Sequence, residues 1–369
     1  MEDLDGAYAG NLGNGAIMNK KENTLAAMRR QNPEHVPFVL GMTSPVYALF
    51  QEKTGAENPA EYWDFDSRST NFRKPSQKAD YSPYLPGDLP EGTVIDEWGI
   101  ANVPGSMFHF TKMVHPLQDA NTVEEFNQYP LPDFRREECW QPIKAEVAAY
   151  QQRGYPVSGS LEMTIFEVSW YLRGMENLMA DMMQAPDLAT ALLDRITALR
   201  VFQARKYAEF GVDVLALGDD ISMQTGMLMS PRMWRKWFKP RLAKVIREAK
   251  SVKPELLVQY HTDGDCRAVI PELIEVGVDI LNPVQPECMD PVEIKQEYGD
   301  RLSFSGTIGT QSTMPHGTPD EVRMAVKKMV ETVGEGGGLF LAPTHVLEPD
   351  VPWENILAFV EACKEFGTY

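Results

Sequence analysis

Short apolar runs that end abruptly in polar side chains recur along the chain. In one of them the run LLVQY, residues 256–260, leads directly into HTDGD, residues 261–265. Such a run is typical of a buried parallel strand that stops at a loop. Segments with the apolar spacing of amphipathic helices separate these runs. This alternation of buried strand, polar end and helix is the feature from which we predict the fold.

Eight such strands are predicted, and they alternate with helices. They cover residues 36–42, 93–100, 157–163, 212–219, 256–261, 278–283, 302–307 and 338–343. Alternation of this kind predicts a parallel sheet, and eight units predict its closure into a (β/α)8 TIM barrel. The alternative is an open doubly wound sheet, whose first strand is normally followed by a GxGxxG turn. No such turn follows Met42, so we favour the barrel.

The domain organisation is predicted from the segments that lack this alternation of strands and helices. Residues 1–18 have no hydrophobic periodicity, and we predict that they form a mobile N-terminal arm. Residues 19–369 are expected to form one barrel domain. An irregular insertion near residues 58–115 is rich in Pro, Tyr and charge, and long excursions of this kind are often functional. Within it, residues 93–100 form either the second barrel strand or a hairpin with residues 107–114.

Composition narrows the classes of partner. The net charge of −18 argues against nucleic acid and against an anionic membrane surface, although solubility alone would also explain it. No apolar run approaches the ~18 residues of a membrane span, and residues 1–15 do not resemble a signal peptide. Four widely spaced cysteines argue against a disulfide framework. We therefore expect a cytoplasmic protein, either a monomer or a homodimer.

Candidate site residues stand at the carboxyl ends of the predicted strands, where barrels carry their active sites. They are Glu162, Asp219, Asp220, His261, Asp263, Asn282, Ser305, Thr307, Thr344 and His345, with Glu348 in the last loop. Any single Asp or Ser here could be only a helix N-cap. The adjacent acids Asp219 and Asp220 cannot both be caps, so one of them must face the barrel mouth or solvent.

These residue types suggest a metal site or acid–base chemistry. A catalytic zinc takes three ligands from His, Cys, Asp and Glu. His261, His345 and one carboxylate would satisfy this, and we take Glu162 as that carboxylate, although Asp219, Asp220 and Asp263 remain alternatives. Without a metal the same groups could act as general acid and base.

Roles can be assigned on this basis to the remaining candidates. We predict that Asp220, Asp263 and Glu348 are catalytic. Substrate contact is assigned to Glu162, Asp219, Asn282 and Thr307.

Several blocks of the sequence resemble the uroporphyrinogen decarboxylase superfamily. They are residues 159–187, residues 217–246, the HTDGD loop, residues 342–356 and the DEWG segment at 96–99. The similarity extends over nearly the whole chain after about residue 20. The resemblance implies a (β/α)8 barrel with a deep cleft, which agrees with the strand count.

One branch of that superfamily is the cofactor-independent decarboxylase. It holds an acidic tetrapyrrole with arginines and carries the signature Arg-Gln-Ala-Gly-Arg-Tyr after its first strand. Here residues 41–47 read GMTSPVY, without arginine. A substrate with many carboxylates would also fit poorly in a mouth lined by acids. Decarboxylation is therefore kept as the alternative.

The other branch is the corrinoid-dependent methyltransferases of one-carbon metabolism. The resemblance implies a methylcobalamin or corrinoid carried by a partner protein, the use of zinc, and a small methyl donor or tetrahydrofolate. Thiol-methylating members carry His-x-Cys where this chain has His261-Thr262-Asp263, and His345 lies near where their later Cys would fall. Carboxylate and imidazole ligands leave a harder ion than thiolates do, which suits an O-methyl or methoxy donor. A third interpretation is an inactive barrel that binds a small ligand.

Overall fold

The computed structural model describes residues 18–104 and 112–368. The predicted N-terminal arm, except its last residue, and part of the predicted hairpin therefore lie outside the described residues. The strands are β1 (Arg68–Thr70), β2 (Val94–Ile95), β3 (Ala101–Val103), β4 (Lys112–Val114), β5 (Val157–Glu162), β6 (Val214–Gly218), β7 (Ser222–Met223), β8 (Gly226–Met227), β9 (Leu257–His261), β10 (Ile280–Asn282), β11 (Ser303–Ser305) and β12 (Leu339–Phe340).

The helices surround these strands. They are α1 (Lys20–Met28), α2 (Ser44–Thr54), α3 (Pro59–Tyr62), α4 (Val123–Gln128), α5 (Gln141–Gln152), α6 (Phe166–Arg173), α7 (Met175–Gln184), α8 (Pro186–Glu209), α9 (Pro231–Trp237), α10 (Lys239–Val252), α11 (Ile270–Glu275), α12 (Pro291–Tyr298), α13 (Thr313–His316), α14 (Pro319–Thr332) and α15 (Trp353–Phe366). Within the described part of the chain, no helix combines the length and the apolar character that crossing a membrane requires.

Seven parallel strands form the main sheet, in the order β1-β5-β6-β9-β10-β11-β12. The extended segment 36–42 lies between its two edges. On one side Phe38 forms a parallel bridge with Leu341, just after β12. On the other side the amide of Asp66, just before β1, donates to the carbonyl of Phe38 at 3.3 Å. The predicted (β/α)8 barrel is therefore confirmed, with segment 36–42 in the position of its eighth strand.

The second barrel strand is not where the sequence placed it. We expected residues 93–100, but β1, inside the predicted insertion, pairs with β5 in the barrel. Residues 94–95 instead belong to a small antiparallel sheet, in which β2 pairs with β3 and β3 pairs with β4. The DEWG segment is the connection between β2 and β3. The hairpin alternative is thus closer to the structure than the barrel alternative.

The sequence pattern missed β1 because a charged residue stands where an apolar one was expected. Arg68 is only 5% exposed. Its guanidinium donates hydrogen bonds to the carbonyls of Ala60, Phe65 and Ser67, so its burial leaves its donors satisfied. A strand of this composition carries no hydrophobic signal.

Helix α1 covers the amino-terminal end of the barrel. Its residues Ala27 and Met28 pack in one cluster with Leu257, Ile280 and Phe340, which lie on three barrel strands. The amide of Gly338 also donates to the carbonyl of Ala27 at 2.8 Å. The barrel is therefore closed at this end and is accessible from the carboxyl ends of its strands.

Candidate active site

Four neighbouring strands end in one register row. Glu162 of β5 pairs with Gly218 of β6, Gly218 pairs with His261 of β9, and His261 pairs with Asn282 of β10. A Cβ atom at Gly218 would lie 2.6 Å from Cβ of His261 and 2.7 Å from its carbonyl oxygen. Glycine at this position therefore leaves the space that the His261 side chain occupies. The sequence offered no reason to single out Gly218.

Two carboxylates lie beside the His261 imidazole. Its Nε2 atom is 3.8 Å from Oδ1 of Asp220 and 3.8 Å from Oδ1 of Asp263. One potential ligand atom from each of the three residues lies within 4.8 Å of the other two. The amide of Asp263 donates to Oδ1 of Asp220 at 2.9 Å, which fixes the two acids relative to each other. We call these three residues the acid–imidazole group.

Asn282 orients the imidazole of this group. Its Oδ1 lies 2.7 Å from Nδ1 of His261, and its Nδ2 donates to Oγ of Ser305 at 3.3 Å. Because the amide nitrogen is used by Ser305, the oxygen accepts from the imidazole, and Nδ1 carries the proton. The Nε2 lone pair of a neutral His261 then points towards Asp220 and Asp263. Asn282, which we predicted to contact substrate, lines the cavity, and its side chain also holds His261.

Electrostatics within the group favour a shared positive charge or proton. Burial alone would lower the pKa of His261. The negative charges of Glu162, Asp263 and Asp220 have the larger effect, so the pKa lies above its ordinary value. Burial raises the pKa of Asp263, and the charge of the neighbouring His261 offsets only part of this rise. A cation bound between these groups would relieve the repulsion between the carboxylates.

The adjacent acids Asp219 and Asp220 have different surroundings. Asp219 is 4% exposed, and its carboxylate accepts hydrogen bonds from the amides of Ile165 and Glu167 at the start of α6. Burial raises the pKa of Asp219 to about 7, although these amides and Arg200 lower it. Asp219 was predicted to contact substrate, but its side chain caps α6, while Asp220 faces His261.

Glu167 is a buried acid behind this site that the strand-end pattern does not select. Its carboxylate accepts from the amide of Asp220 at 3.1 Å and from the hydroxyl of Tyr171 at 3.0 Å. Burial, followed by the charges of Asp219 and Asp220, raises its pKa to about 8. Because it lies within a helix, no sequence signal used above could have found it.

A cavity of about 740 Å³ lies inside the barrel below this row. Its lining includes Glu162, His261, Asn282, Ser305 and His345. This volume is within the range of small-molecule sites, which runs from roughly 300 to 1,000 Å³.

The predicted metal ligands and catalytic residues are only partly brought together. Glu162 and His345 line the same cavity as His261, but neither belongs to the acid–imidazole group, in which Asp220 and Asp263 take their places. Thr307 is 1% exposed, and Glu348 is half-buried in the last loop. Neither of these two is among the residues that line the cavity.

The donors of the acid–imidazole group fit a divalent metal ion. One imidazole and two carboxylates supply the three protein ligands typical of a catalytic zinc site, with a further position left for substrate. The hydrogen bond from Nδ1 of His261 to Asn282 is the second contact that metal-binding histidines commonly make. Asp220, His261 and Asp263 would therefore hold such an ion.

Comparison with known proteins gives a consistent family assignment. The family model described as Uroporphyrinogen decarboxylase (URO-D) matches residues 99–366. The methyltransferase from Methanosarcina mazei is a solved structure with a TM-score of 0.69, at 20% identity, covering 95% of this chain and 99% of that one. At this identity the likeness concerns the fold.

The relatives by sequence come from two groups. Methylcobamide:CoM methyltransferase MtaA of Methanosarcina barkeri is 29% identical over 57% of this chain and 58% of its own length. Methylated-thiol–coenzyme M methyltransferase of Methanosarcina mazei is 26% identical over 54% and 51%. Uroporphyrinogen decarboxylase of Coxiella burnetii is 24% identical over 50% and 49%. The chain thus spans about half the length of the curated relatives that it matches.

Proposed function

The chain belongs to the uroporphyrinogen decarboxylase family, and on that premise we propose that it is a corrinoid-dependent methyltransferase. It moves a methyl group between a small methylated substrate and a corrinoid held by a partner protein. Two of its relatives are named for methyl transfer to coenzyme M, one of them from a methylcobamide. The observation that carries the proposal is the acid–imidazole group beside the cavity.

The donor set of this group favours an oxygen-linked methyl group. Thiol-methylating members of the branch, as the sequence resemblance implies, have thiolates where this chain has Asp263 and His345. Zinc held by two carboxylates and an imidazole would supply Lewis-acid polarisation of a substrate oxygen. We therefore propose a methoxy compound as the donor, with tetrahydrofolate as the other candidate substrate. Zinc itself is part of the proposal.

The chain's own residues then have separate tasks. Asp220, His261 and Asp263 would hold the ion, and Asn282 would keep the imidazole in the tautomer that binds it. Glu162 and His345 line the cavity next to His261 and position the substrate. Glu348 lies on the same loop as His345 but outside the cavity lining, and its predicted role as the acid that protonates the departing oxygen stays a prediction.

The bond changes follow from the two substrates. The partner's cobalt(I) corrinoid would be the second substrate and would supply the electron pair that binds the methyl group. The carbon–oxygen bond of the donor would break with its electron pair going to oxygen. The oxygen then takes a proton. Stabilising that leaving group is the contribution required of the barrel, and general acid help supplies roughly 10²- to 10⁴-fold in such reactions.

The decarboxylase alternative requires cationic side chains for a polycarboxylate substrate. Among the described residues that line the cavity, Arg68 is the single Arg or Lys. Its guanidinium is already engaged by three backbone carbonyls and by Glu61. The cavity therefore favours methyl transfer over decarboxylation of a tetrapyrrole.

A substrate panel tests the proposal. The purified full chain would be incubated under reducing conditions with cob(I)alamin and zinc, with methoxy compounds, methyltetrahydrofolate or uroporphyrinogen present in separate reactions. We expect the absorbance of cob(I)alamin to convert to that of methylcobalamin with a methoxy donor. Loss of carboxylates from uroporphyrinogen, without methylation of cobalamin by any donor, would contradict the proposal.

A further inference from the structure

The cavity is deep, and its lower part differs in chemistry from its mouth. Its lower lining includes Val214 of β6, Ile280 of β10, Phe340 of β12 and Met28 of α1. Val214 precedes Gly218 of the mouth row by four residues, which corresponds to about 13 Å along a strand. A small methyl donor that reacts beside His261 would leave this lower part unfilled.

The apolar side chains at this depth form one surface. The polar side chains of Ser158, in register with Val214, and of Gln259, in register with Ile280, line another part of the cavity wall. Met28, Ile280 and Phe340 pack together in a buried cluster, against which Val39 and Val214 also pack. The acids Glu162, Asp220 and Asp263 all lie at the mouth. A ligand with an apolar end would therefore place that end towards α1 and its polar end towards the acid–imidazole group.

Helix α1 forms a fixed floor. The hydroxyl of Ser303 donates to the carbonyl of Met28 at 2.7 Å, and the hydroxyl of Thr24 donates to the carbonyl of Asp66 at 3.3 Å. Lys21 forms an ion pair with the buried Asp213 at 2.9 Å. Since α1 is attached to the strands at several points, the Met28 side chain sets a definite end to the cavity.

We propose that the substrate has an elongated apolar body that extends down the barrel to Met28, and that Met28 determines how long this body can be. The inference deepens the proposed function and rests on it for the reacting group at the mouth. The substrate class is thus a methyl ether with an alkyl or alkyl-aryl body, in contrast to a compact polar donor.

Binding of a homologous series tests this directly. The probes are para-alkylanisoles from methyl to octyl, titrated into the zinc-loaded full chain by calorimetry. We expect affinity to increase roughly fourfold for each added methylene, and to fall once the alkyl chain meets Met28. Met28→Ala should move this limit to longer chains by about three carbons, the length of the side chain removed. Met28→Phe should move it to shorter chains.

Control variants distinguish the effect of Met28 on the chain-length limit from general effects of substitution. Met324 lies on α14 and is 60% exposed, so Met324→Ala should keep the wild-type limit. If Met28→Ala does not fold, Met28→Phe alone carries the test. An unchanged limit in the Met28 variants, or affinity independent of chain length, would overturn the inference. The chain-length limits could shift as expected while no probe methylates cobalamin. That result would support the role of Met28 and would contradict the proposed methyl transfer.

Discussion

The Oδ1 atom of Asn282 lies 2.7 Å from Nδ1 of His261, across adjacent strands of the barrel. This contact fixes the tautomer of the imidazole and leaves Nε2 facing Asp220 and Asp263. Asn282 would therefore hold the histidine in the tautomer that the proposed metal ion requires. The proposed metal site thus depends on this contact as well as on its three candidate ligands, Asp220, His261 and Asp263.

Replacement of Asn282 should weaken metal binding. Asn282→Leu removes the acceptor for Nδ1–H while keeping a similar volume, and loss of such a contact typically lowers metal affinity by roughly 10- to 100-fold. Asn282→Asp keeps an acceptor and should bind zinc with near wild-type affinity. Titration with zinc against a competing chelator measures both. Equal affinity for Asn282→Leu and the wild type would show that the contact does not matter.

Gly218→Ala should disturb both the fold and the metal site. The added Cβ would lie 2.6 Å from Cβ of His261, so β6 or β9 must shift. We expect a loss of about 1–3 kcal/mol in the free energy of unfolding, together with weaker zinc binding. A Cβ atom added at Gly87 would meet open space within 4 Å, so Gly87→Ala is the matched control. Urea denaturation of the metal-free variants measures the difference.

Asp219 and Asp220 should give opposite results although they are adjacent. Asp219→Ala leaves buried amides at the start of α6 without an acceptor, which should lower the unfolding free energy by about 1–3 kcal/mol. Asp220→Ala removes a half-exposed side chain and one hydrogen bond, which it accepts from the partly exposed amide of Asp263, so the metal-free protein should lose only about 0.5–1 kcal/mol. Zinc affinity should fall strongly in Asp220→Ala. Similar unfolding curves for the two variants would contradict the assigned roles.

Glu167 should make stability depend on pH. Its folded pKa of about 8 lies above the ordinary value of 4.5, so the folded state holds the proton more tightly than the unfolded state does. This contribution is fully present below pH 4.5 and is lost as pH rises through about 8. Glu167→Gln cannot ionise, so the stability of the wild type relative to this variant should decline over that range. Chemical denaturation at a series of pH values, in metal-free buffer, checks the sign.

The barrel strands around the site could be predicted from the sequence. Residues 157–163, 256–261 and 278–283 are apolar runs that end in polar residues, and they overlap β5, β9 and β10. Their burial within a parallel sheet requires that pattern. Strand β1 lacks it, because the burial of Arg68 depends on carbonyls contributed by residues outside the strand. Its position could not be read from local composition.

The site could be predicted only in part, because it also depends on contacts between residues that are distant in the sequence. The sequence shows which residues end each strand, so His261, Asp220 and Asp263 could be selected. It does not show distances across the barrel mouth, and His345 was therefore chosen as a ligand, whereas the structure groups His261 with the two acids that lie 3.8 Å from its Nε2 atom. The roles of Asp219 and Asn282 depend on contacts with α6 and β9, which sequence position alone does not specify.

The rate of cobalamin methylation by a methoxy donor, compared between the wild type and His261→Ala, tests the central claim most directly. The assay should use zinc-loaded protein, with Met324→Ala as the control and bound zinc measured in parallel. We predict that His261→Ala loses bound zinc and nearly all of the rate enhancement, and that adding Asp220→Ala causes little further loss, because members of one catalytic unit are not additive. Wild-type zinc content and wild-type turnover in His261→Ala would contradict the account.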